Sequence, residues 1–168
     1  LDYRIQTYAE SANGRAVGYN DSTETIKIDG TKPTGGWTSP ATPNVWTNQN
    51  VELTFNPSDA RSGVAAWSYL ISTNNGASYG SRSGIIYGDV PKTFTLASEG
   101  KIKFSSDVTD NVMNYNGDVS SQSYWIDKTA PTANAAAAST TSWTNTDVTL
   151  SVNGAADALS GFDKITLP

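Results

Sequence analysis

Side chains that carry oxygen are the groups on which this sequence could build chemistry. Histidine and cysteine are both absent, so the commonest general base, thiol nucleophiles, disulfides and thiolate metal sites are excluded. Calcium takes six to eight oxygen ligands, and six acids or amides are the candidates for such a site: Asp29, Asp59, Asp107, Asp110, Asn111 and Asp127.

The alternative role for these residues is to cap their own turns. We favour turn capping because the dense, alternating Asp pattern of an EF-hand loop is absent. The sequence therefore predicts no cofactor and no metal ligand, with calcium as the alternative.

Paired carboxylates are the second chemistry to consider, since glycosidases place two of them about 5–10 Å apart. Glu52 and Glu99 offer material, but the alternation Val-Glu-Leu over 51–53 places Glu52 on a solvent face. Gly-rich phosphate loops and nucleophile elbows are also missing. We predict no catalytic residues, and hence no enzyme activity in this segment.

Aromatic side chains are the third candidate set. An exposed row of Trp67, Tyr69, Tyr79 and Tyr87 would suit glycan stacking, because aromatic-lined sites commonly bind small molecules. Burial of these rings would instead favour a purely structural role. We expect Trp46 and Trp143 to pack in the core or at one end of the fold, with sugar stacking as the alternative, and Trp37 to seal a joint between domains.

The composition indicates which elements must position these residues. Of the 168 residues, 37% are hydrophobic and only 16% charged, and Thr, Ser, Asn and Gly fill the difference, as in a β protein with many turns. The net charge of −5 argues against a nucleic-acid partner. Apolar runs long enough to cross a bilayer are absent, so we expect no membrane insertion.

The chain repeats itself. Residues 28–34 (IDGTKPT) recur as 126–132 (IDKTAPT), 46–55 (WTNQNVELTF) as 143–152 (WTNTDVTLSV), and 59–63 (DARSG) as 157–161 (DALSG). The offsets are 98, 97 and 98 residues. A period of this length fits one β-sandwich of about 100 residues. We therefore predict the last strands of one repeat over 1–31, a complete repeat over 32–130, and the first part of another over 131–168.

Alternating or β-branched runs predict the strands. They cover 51–55, 67–71, 93–96, 101–105 and 123–127, a counterpart of the last at 25–29, and a short edge strand at 84–87. Asn75-Gly76 and Asn116-Gly117 are predicted hairpin turns. Four residues are predicted to guard strand edges: Pro91, Lys92, Lys101 and Lys103.

Both copies of the closing strand are soon followed by proline, at Pro33 and Pro131. Proline cannot continue a central strand, so the chain passes at once into the next unit. Linkers this short predict a semi-rigid rod of units arranged end to end.

The boundary IDKTAPT, the opening WTN-x-x-V-x-L, the turn D-x-x-SG and the run TDNVMN at 109–114 resemble the bacterial immunoglobulin-like tandem repeats of large extracellular surface proteins. The first boundary departs from that pattern at Gly30, and residues 9–14 depart from the TDN run. The resemblance implies an all-β fold, an immunoglobulin-like antiparallel β-sandwich, and a protein that is secreted or displayed on the cell surface.

The resemblance also implies a function: a structural stalk or spacer of a bacterial or phage surface protein, adhesin or fibre, whose partners are the neighbouring repeats. One alternative is a module that binds a surface glycan or a host protein. A second is a filament subunit that assembles by strand exchange. Some surface sandwiches of this kind carry Lys–Asn isopeptide links, and lysines near the closing strands make such a link a further hypothesis.

Overall fold

The computed structural model describes residues 5–10, 17–22 and 26–166. In these residues the chain forms thirteen strands and no helix, which confirms the all-β prediction. The strands are β1 Ile5–Glu10, β2 Val17–Ser22, β3 Thr34–Thr38, β4 Trp46–Thr47, β5 Val51–Ser58, β6 Val64–Ser72, β7 Ile86–Tyr87, β8 Lys92–Leu96, β9 Gly100–Asp110, β10 Tyr115–Ser120, β11 Tyr124–Ile126, β12 Ala137–Ala138 and β13 Leu150–Ser151.

Two sheets built from β3 to β11 face one another in a sandwich-like arrangement. One sheet has the order β4-β11-β9-β6-β7, with β10 also paired to β9, and the other has the order β3-β5-β8. All of these pairs are antiparallel except β4 with β11. Nine strands between residues 34 and 126 thus lie inside the predicted repeat over 32–130.

The core lies between the two sheets. Strand β5 is buried at every second residue, as the alternation over 51–55 predicts. Its Leu53 and Phe55 meet Phe104 and Val108 of β9 and Trp67 of β6 across the interface. Four of the other predicted strands lie within or overlap β6, β8, β9 and β11, and β7 is a short strand at the edge of its sheet, as predicted.

Trp37 is partly buried and packs against the core of the sandwich, so its predicted place at a joint between domains is wrong. Its ring lies 4.8 Å from that of Phe55 and 4.9 Å from that of Phe104. Its Nε1 donates to the carbonyl of Val119 at 2.8 Å. Because β3 reads Thr-Gly-Gly-Trp-Thr, the indole is the only bulky side chain of this edge strand, and it closes the sandwich over β10.

The two predicted hairpin turns have different outcomes. Asn75 and Gly76 both adopt positive φ, at 63° and 87°, and the chain after them returns along β6. Asn116 and Gly117, in contrast, lie inside β10 at a bulge. The turn between β9 and β10 is formed earlier, over residues 111–114, because the carboxylate of Asp110 binds its backbone N–H groups.

Of the three lysines predicted to protect strand edges, one lies in an edge strand. Lys92 begins β8, which is an edge strand. Lys101 and Lys103 lie in β9, a central strand, so their predicted role is wrong. Lys101 instead places Nζ 4.2 Å from the ring centroid of Trp125, a cation–π contact.

Segments outside the two facing sheets are simpler. Strands β1 and β2 pair in register from Ile5↔Ser22 to Glu10↔Val17, and residues 11–14 of the departing run lie outside the described residues. The predicted strand over 25–29 is wrong for residues 26–29, which form none, while position 25 is outside the described residues. Strands β12 and β13 form a short antiparallel pair.

The matched tryptophans have unlike surroundings. Trp46 packs at one end of the sandwich, 5.5 Å from the ring of Trp125, which confirms its prediction. Trp143 is fully exposed, so its predicted packing is wrong in this structure. The ring that covers Trp46 comes from β11.

Candidate functional site

Asp29 joins the segment before β3 to the loop between β5 and β6. Its Oδ1 accepts the backbone N–H of Thr31 at 2.9 Å, which turns the chain at the end of the boundary motif. Its Oδ2 accepts the backbone N–H of Ser62 at 3.0 Å, from 33 residues further along the chain. One carboxylate thus binds the linker and the following unit together.

The loop over 59–63 is shaped by its own first residue. Asp59 Oδ1 accepts the backbone N–H groups of Arg61 at 3.0 Å and Gly63 at 2.8 Å, which confirms the predicted turn cap. Gly63 has a φ of 78°, a conformation that L-residues with side chains rarely adopt. The turn leaves the N–H of Ser62 pointing outward, where Asp29 accepts it.

The turn after β9 closes the joint from the other side. Asn114 Nδ2 donates to the carbonyl of Asp29 at 3.1 Å and to Asp110 Oδ2 at 2.7 Å. Asn116 Nδ2 donates to the carbonyl of Pro33 at 2.9 Å. The linker is therefore held along its length by amides of the unit that follows it.

Asp127 repeats the arrangement of Asp29 at the end of β11. Its Oδ1 accepts the N–H of Thr129 at 3.0 Å, and its Oδ2 accepts the N–H of Ser160 at 2.9 Å. Asp157 Oδ1 caps the second loop by accepting the N–H of Gly161 at 3.0 Å. Gly161 has a φ of 83°, as Gly63 has 78°. The two joints share one hydrogen-bond pattern, which we call the carboxylate clasp: Asp29 or Asp127 with the loop over 59–63 or 157–161.

The clasp stabilises the ionised carboxylate. The N–H of Thr31 and the donors of Ser62 lower the pKa of Asp29, and the hydroxyl and N–H of Ser160 lower the pKa of Asp127. Burial alone would raise the pKa of Asp110, but hydrogen bonds from Asn114, Val112 and Ser62 together outweigh it, so this pKa is also lowered. Hydrogen bonds to the charged form are the common cause.

The structure brings three of the calcium candidates together. Carboxylate oxygens of Asp29, Asp59 and Asp110 lie within 4.8 Å of one another. Asp107 is elsewhere, paired with Arg82, and Asp127 belongs to the second joint. The amide of Asn111 is a donor, with Nδ2 2.7 Å from the carbonyl of Ser62. Five of the six oxygens in the cluster already accept hydrogen bonds: both of Asp29, both of Asp110 and Oδ1 of Asp59. Turn capping is therefore the role these contacts support.

The remaining chemical candidates are dispersed. Glu52 is exposed on β5, as predicted. Glu99 accepts the N–H of Lys128 at 2.8 Å and the hydroxyl of Thr129. Lys128 Nζ lies 2.5 Å from Asn50 Oδ1, which is the Lys–Asn contact relevant to the isopeptide hypothesis.

The exposed aromatic row, which was the alternative that would suit a glycan, does not form. Trp67 is 2% exposed and packs in the core, and the Tyr69 ring lies 4.7 Å from that of Phe94 inside the sandwich. Tyr87 is 75% exposed, so it alone has the predicted surface position, while Tyr79 is half-buried.

Sequence reasoning missed the residues that complete the clasp. Ser62 and Ser160 act through their backbone N–H groups, for which side-chain type gives no signal. Asn114 and Asn116 act through their side chains, and both lie in segments that the sequence singles out, the run over 109–114 and the pair Asn116-Gly117.

Comparison with known proteins gives no assignment, since neither a protein-family model nor a curated protein matches the chain. Among the described residues, helices of the length and apolarity needed to cross a membrane do not occur.

Proposed function

We propose that this chain is a segment of a structural stalk in an extracellular bacterial or phage surface protein, built from immunoglobulin-like units about 98 residues apart. The observation that carries the proposal is the carboxylate clasp, which recurs with the same atoms at both joints. A stalk must keep successive units in one orientation, and a repeated joint of fixed geometry serves that purpose.

Contacts on both sides of the linker support a fixed orientation. Asp29 binds the loop ahead of it through Ser62, while Asn114 and Asn116 bind the carbonyls of Asp29 and Pro33. Rotation about a single bond cannot preserve all of these contacts at once. The partner of each unit in this proposal is the neighbouring unit of the same protein.

The placement of the aromatic residues favours the stalk over a glycan module built on Trp67 and Tyr69. Both rings pack against phenylalanines of the core, where they stabilise the unit instead of meeting a ligand. Binding or catalytic work would then fall to another domain, since function is located in sites carried by folds.

The test measures the orientation of two units across the second joint. The chain has no cysteine, so single cysteines at the exposed positions Ser81 and Thr141 can carry spin labels for a pulsed dipolar distance measurement. We expect a narrow distance distribution in the parent chain and a broad one after Asp127→Ala. Asp147→Ala, at an exposed acid away from the joint, is the matched control and should leave the distribution narrow.

A broad distribution in the parent chain would overturn the proposal, because a freely jointed linker cannot hold a stalk in one direction. A distribution that stayed narrow in Asp127→Ala would show that the clasp does not set the orientation.

Strand exchange between chains is the second candidate function. It is favoured by exposed apolar residues after the second joint, where Trp143, Leu150 and Phe162 meet solvent. The counterparts of Leu150 and Phe162 in the complete repeat, Leu53 of β5 and Val64 of β6, are buried. Sedimentation velocity over a range of concentrations separates the two candidates: filaments that grow with concentration support exchange, and a single monomeric species supports the stalk.

A further inference from the structure

One face of the larger sheet carries two exposed tyrosines separated by small residues. Tyr87 of β7 pairs with Ala66 of β6, Ala66 with Thr109 of β9, and Thr109 with Tyr115 of β10. Their neighbours Ile86 and Trp67 pack in the core, so this row points outward by the alternation of strands. Three strand spacings separate the tyrosines, about 14 Å. We call this face the tyrosine row.

A depression of about 350 Å³ lies on this face. Its lining includes Ala66, Thr109, Ile85 and Tyr115, while Tyr87 is outside the lining, at the other end of the row. Tyr115 is 52% exposed and Ile85 is 64% exposed. Small side chains beside larger exposed ones thus leave an open site on this face.

The polar side of the depression is electrically neutral. Arg82 and Asp107 form an ion pair there, and Arg82 Nη1 also donates to the Ser68 hydroxyl at 2.9 Å. Because the guanidinium and the carboxylate cancel, the site favours neither an anion nor a cation.

Hydrogen-bonding capacity nevertheless remains. The ion pair and the contact with Ser68 engage only part of the guanidinium and of the carboxylate. A guanidinium has five N–H donors and a carboxylate oxygen accepts readily. Donors and acceptors thus lie side by side. This combination suits a ligand with neighbouring hydroxyl groups, because each hydroxyl both donates and accepts a hydrogen bond.

The Tyr115 ring lies over Gly117. A Cβ on Gly117 would lie 2.9 Å from Tyr115 Oη and 3.1 Å from Cε1, so a side chain at this position would push the exposed ring aside. A tyrosine side chain has only two rotatable bonds, so it loses little conformational freedom when a ligand stacks on it.

We propose that the tyrosine row binds a neutral carbohydrate chain, with sugar rings stacked on Tyr115 and Tyr87 and their hydroxyl groups bound by Arg82 and Asp107. The distance between the tyrosines exceeds one sugar ring, so the ligand is an oligosaccharide. This function goes beyond that of a stalk, since it would attach the segment to a glycan along its length.

The test titrates the isotope-labelled chain with neutral tetrasaccharides of glucose and of N-acetylglucosamine, each in α- and β-linked forms where these exist, up to about 10 mM. We expect at least one of them to shift the amide signals of Ala66, Thr109 and Tyr115. Tyr115→Ala and Asp107→Asn should each weaken that binding about tenfold. Tyr115→Phe keeps the ring and should retain binding, and Met113→Ala, at an exposed residue of the neighbouring turn, should leave it unchanged.

Gly117→Ala provides a second variant, because it displaces the ring without removing it, and it should weaken binding as well. Shifts that persist unchanged in both Tyr115→Ala and Gly117→Ala would overturn the proposal. So would the absence of shifts with every saccharide in a chain whose spectrum shows it to be folded, or binding confined to peptides.

Discussion

Asp29 accepts the backbone N–H of Ser62 at 3.0 Å across 33 residues of sequence. The contact ties the end of one segment to the first loop of the next, and its acceptor is a charged group. The joint consequently depends on the protonation of a carboxylate.

Acid should loosen both joints. The pKa values of Asp29, Asp110 and Asp127 are lowered from 3.8 by hydrogen bonds in the folded chain, so the folded state binds fewer protons than the unfolded state. Their contribution to stability is present above about pH 4 and is lost as the pH falls through the lowered values. The melting temperature should therefore fall as the pH is lowered from about 5 to about 2.5, which thermal unfolding measures.

The Asp110→Asn variant is the control for the acid effect. It removes one of the titrating groups, so its melting temperature should fall less steeply over the same pH range. An equal slope would contradict the assignment of Asp110.

Two buried serines should respond oppositely to the same substitution. Ser121 Oγ accepts the N–H of Phe104 at 2.9 Å in the core, so Ser121→Ala strands a buried donor and should cost about 1–3 kcal/mol. Ser106 Oγ is buried and has no partner among the described residues, so Ser106→Ala should be neutral or slightly stabilising. Urea unfolding of the two variants measures the difference, and equal losses would contradict the hydrogen-bond assignment.

The intact mass should equal that of the unlinked chain. Lys128 Nζ contacts Asn50, but it also donates to the carbonyl of Ala97 at 2.8 Å and lies exposed to water. A spontaneous amide link of this kind forms in a site shielded from water, and the Lys128 side chain is exposed. Mass spectrometry that found the loss of one ammonia would contradict the prediction and support the isopeptide hypothesis.

Calcium should not raise the melting temperature. The cluster of Asp29, Asp59 and Asp110 already uses five of its six oxygens as hydrogen-bond acceptors, and a calcium ion needs six to eight oxygens. Calorimetric titration should detect no binding heat. Heat that disappears in Asp59→Asn would contradict this prediction and place the ion at the joint.

Strands were the most predictable part of the fold. Alternation over 51–55 predicts both the strand and its inward face, because a half-buried strand shows its burial in every second residue. The turn over 59–63 was equally predictable, because its cause is local: the Asp59 carboxylate accepts the N–H of Gly63, and Gly63 adopts the positive φ that the turn requires.

Placement between sheets was less predictable, because periodicity does not say which face of a strand meets a partner. Trp67 and Tyr69 could have lined a surface, but the opposing β5 and β8 bury them. The sequence does not indicate that Trp37 packs against the core. That position depends on its small neighbours Gly35 and Gly36 and on the carbonyl of Val119 in β10, 82 residues away. Asn116-Gly117 failed as a turn because Asp110 had already turned the chain.

The clasp binds main-chain atoms of its loop. One residue of that loop differs between the joints, Arg61 in one and Leu159 in the other, yet the hydrogen bonds are the same. A joint of this kind tolerates differences in amino-acid sequence between the units that it links. In the proposed stalk, units could therefore be added, deleted or reordered without any new fit having to be selected at the joint.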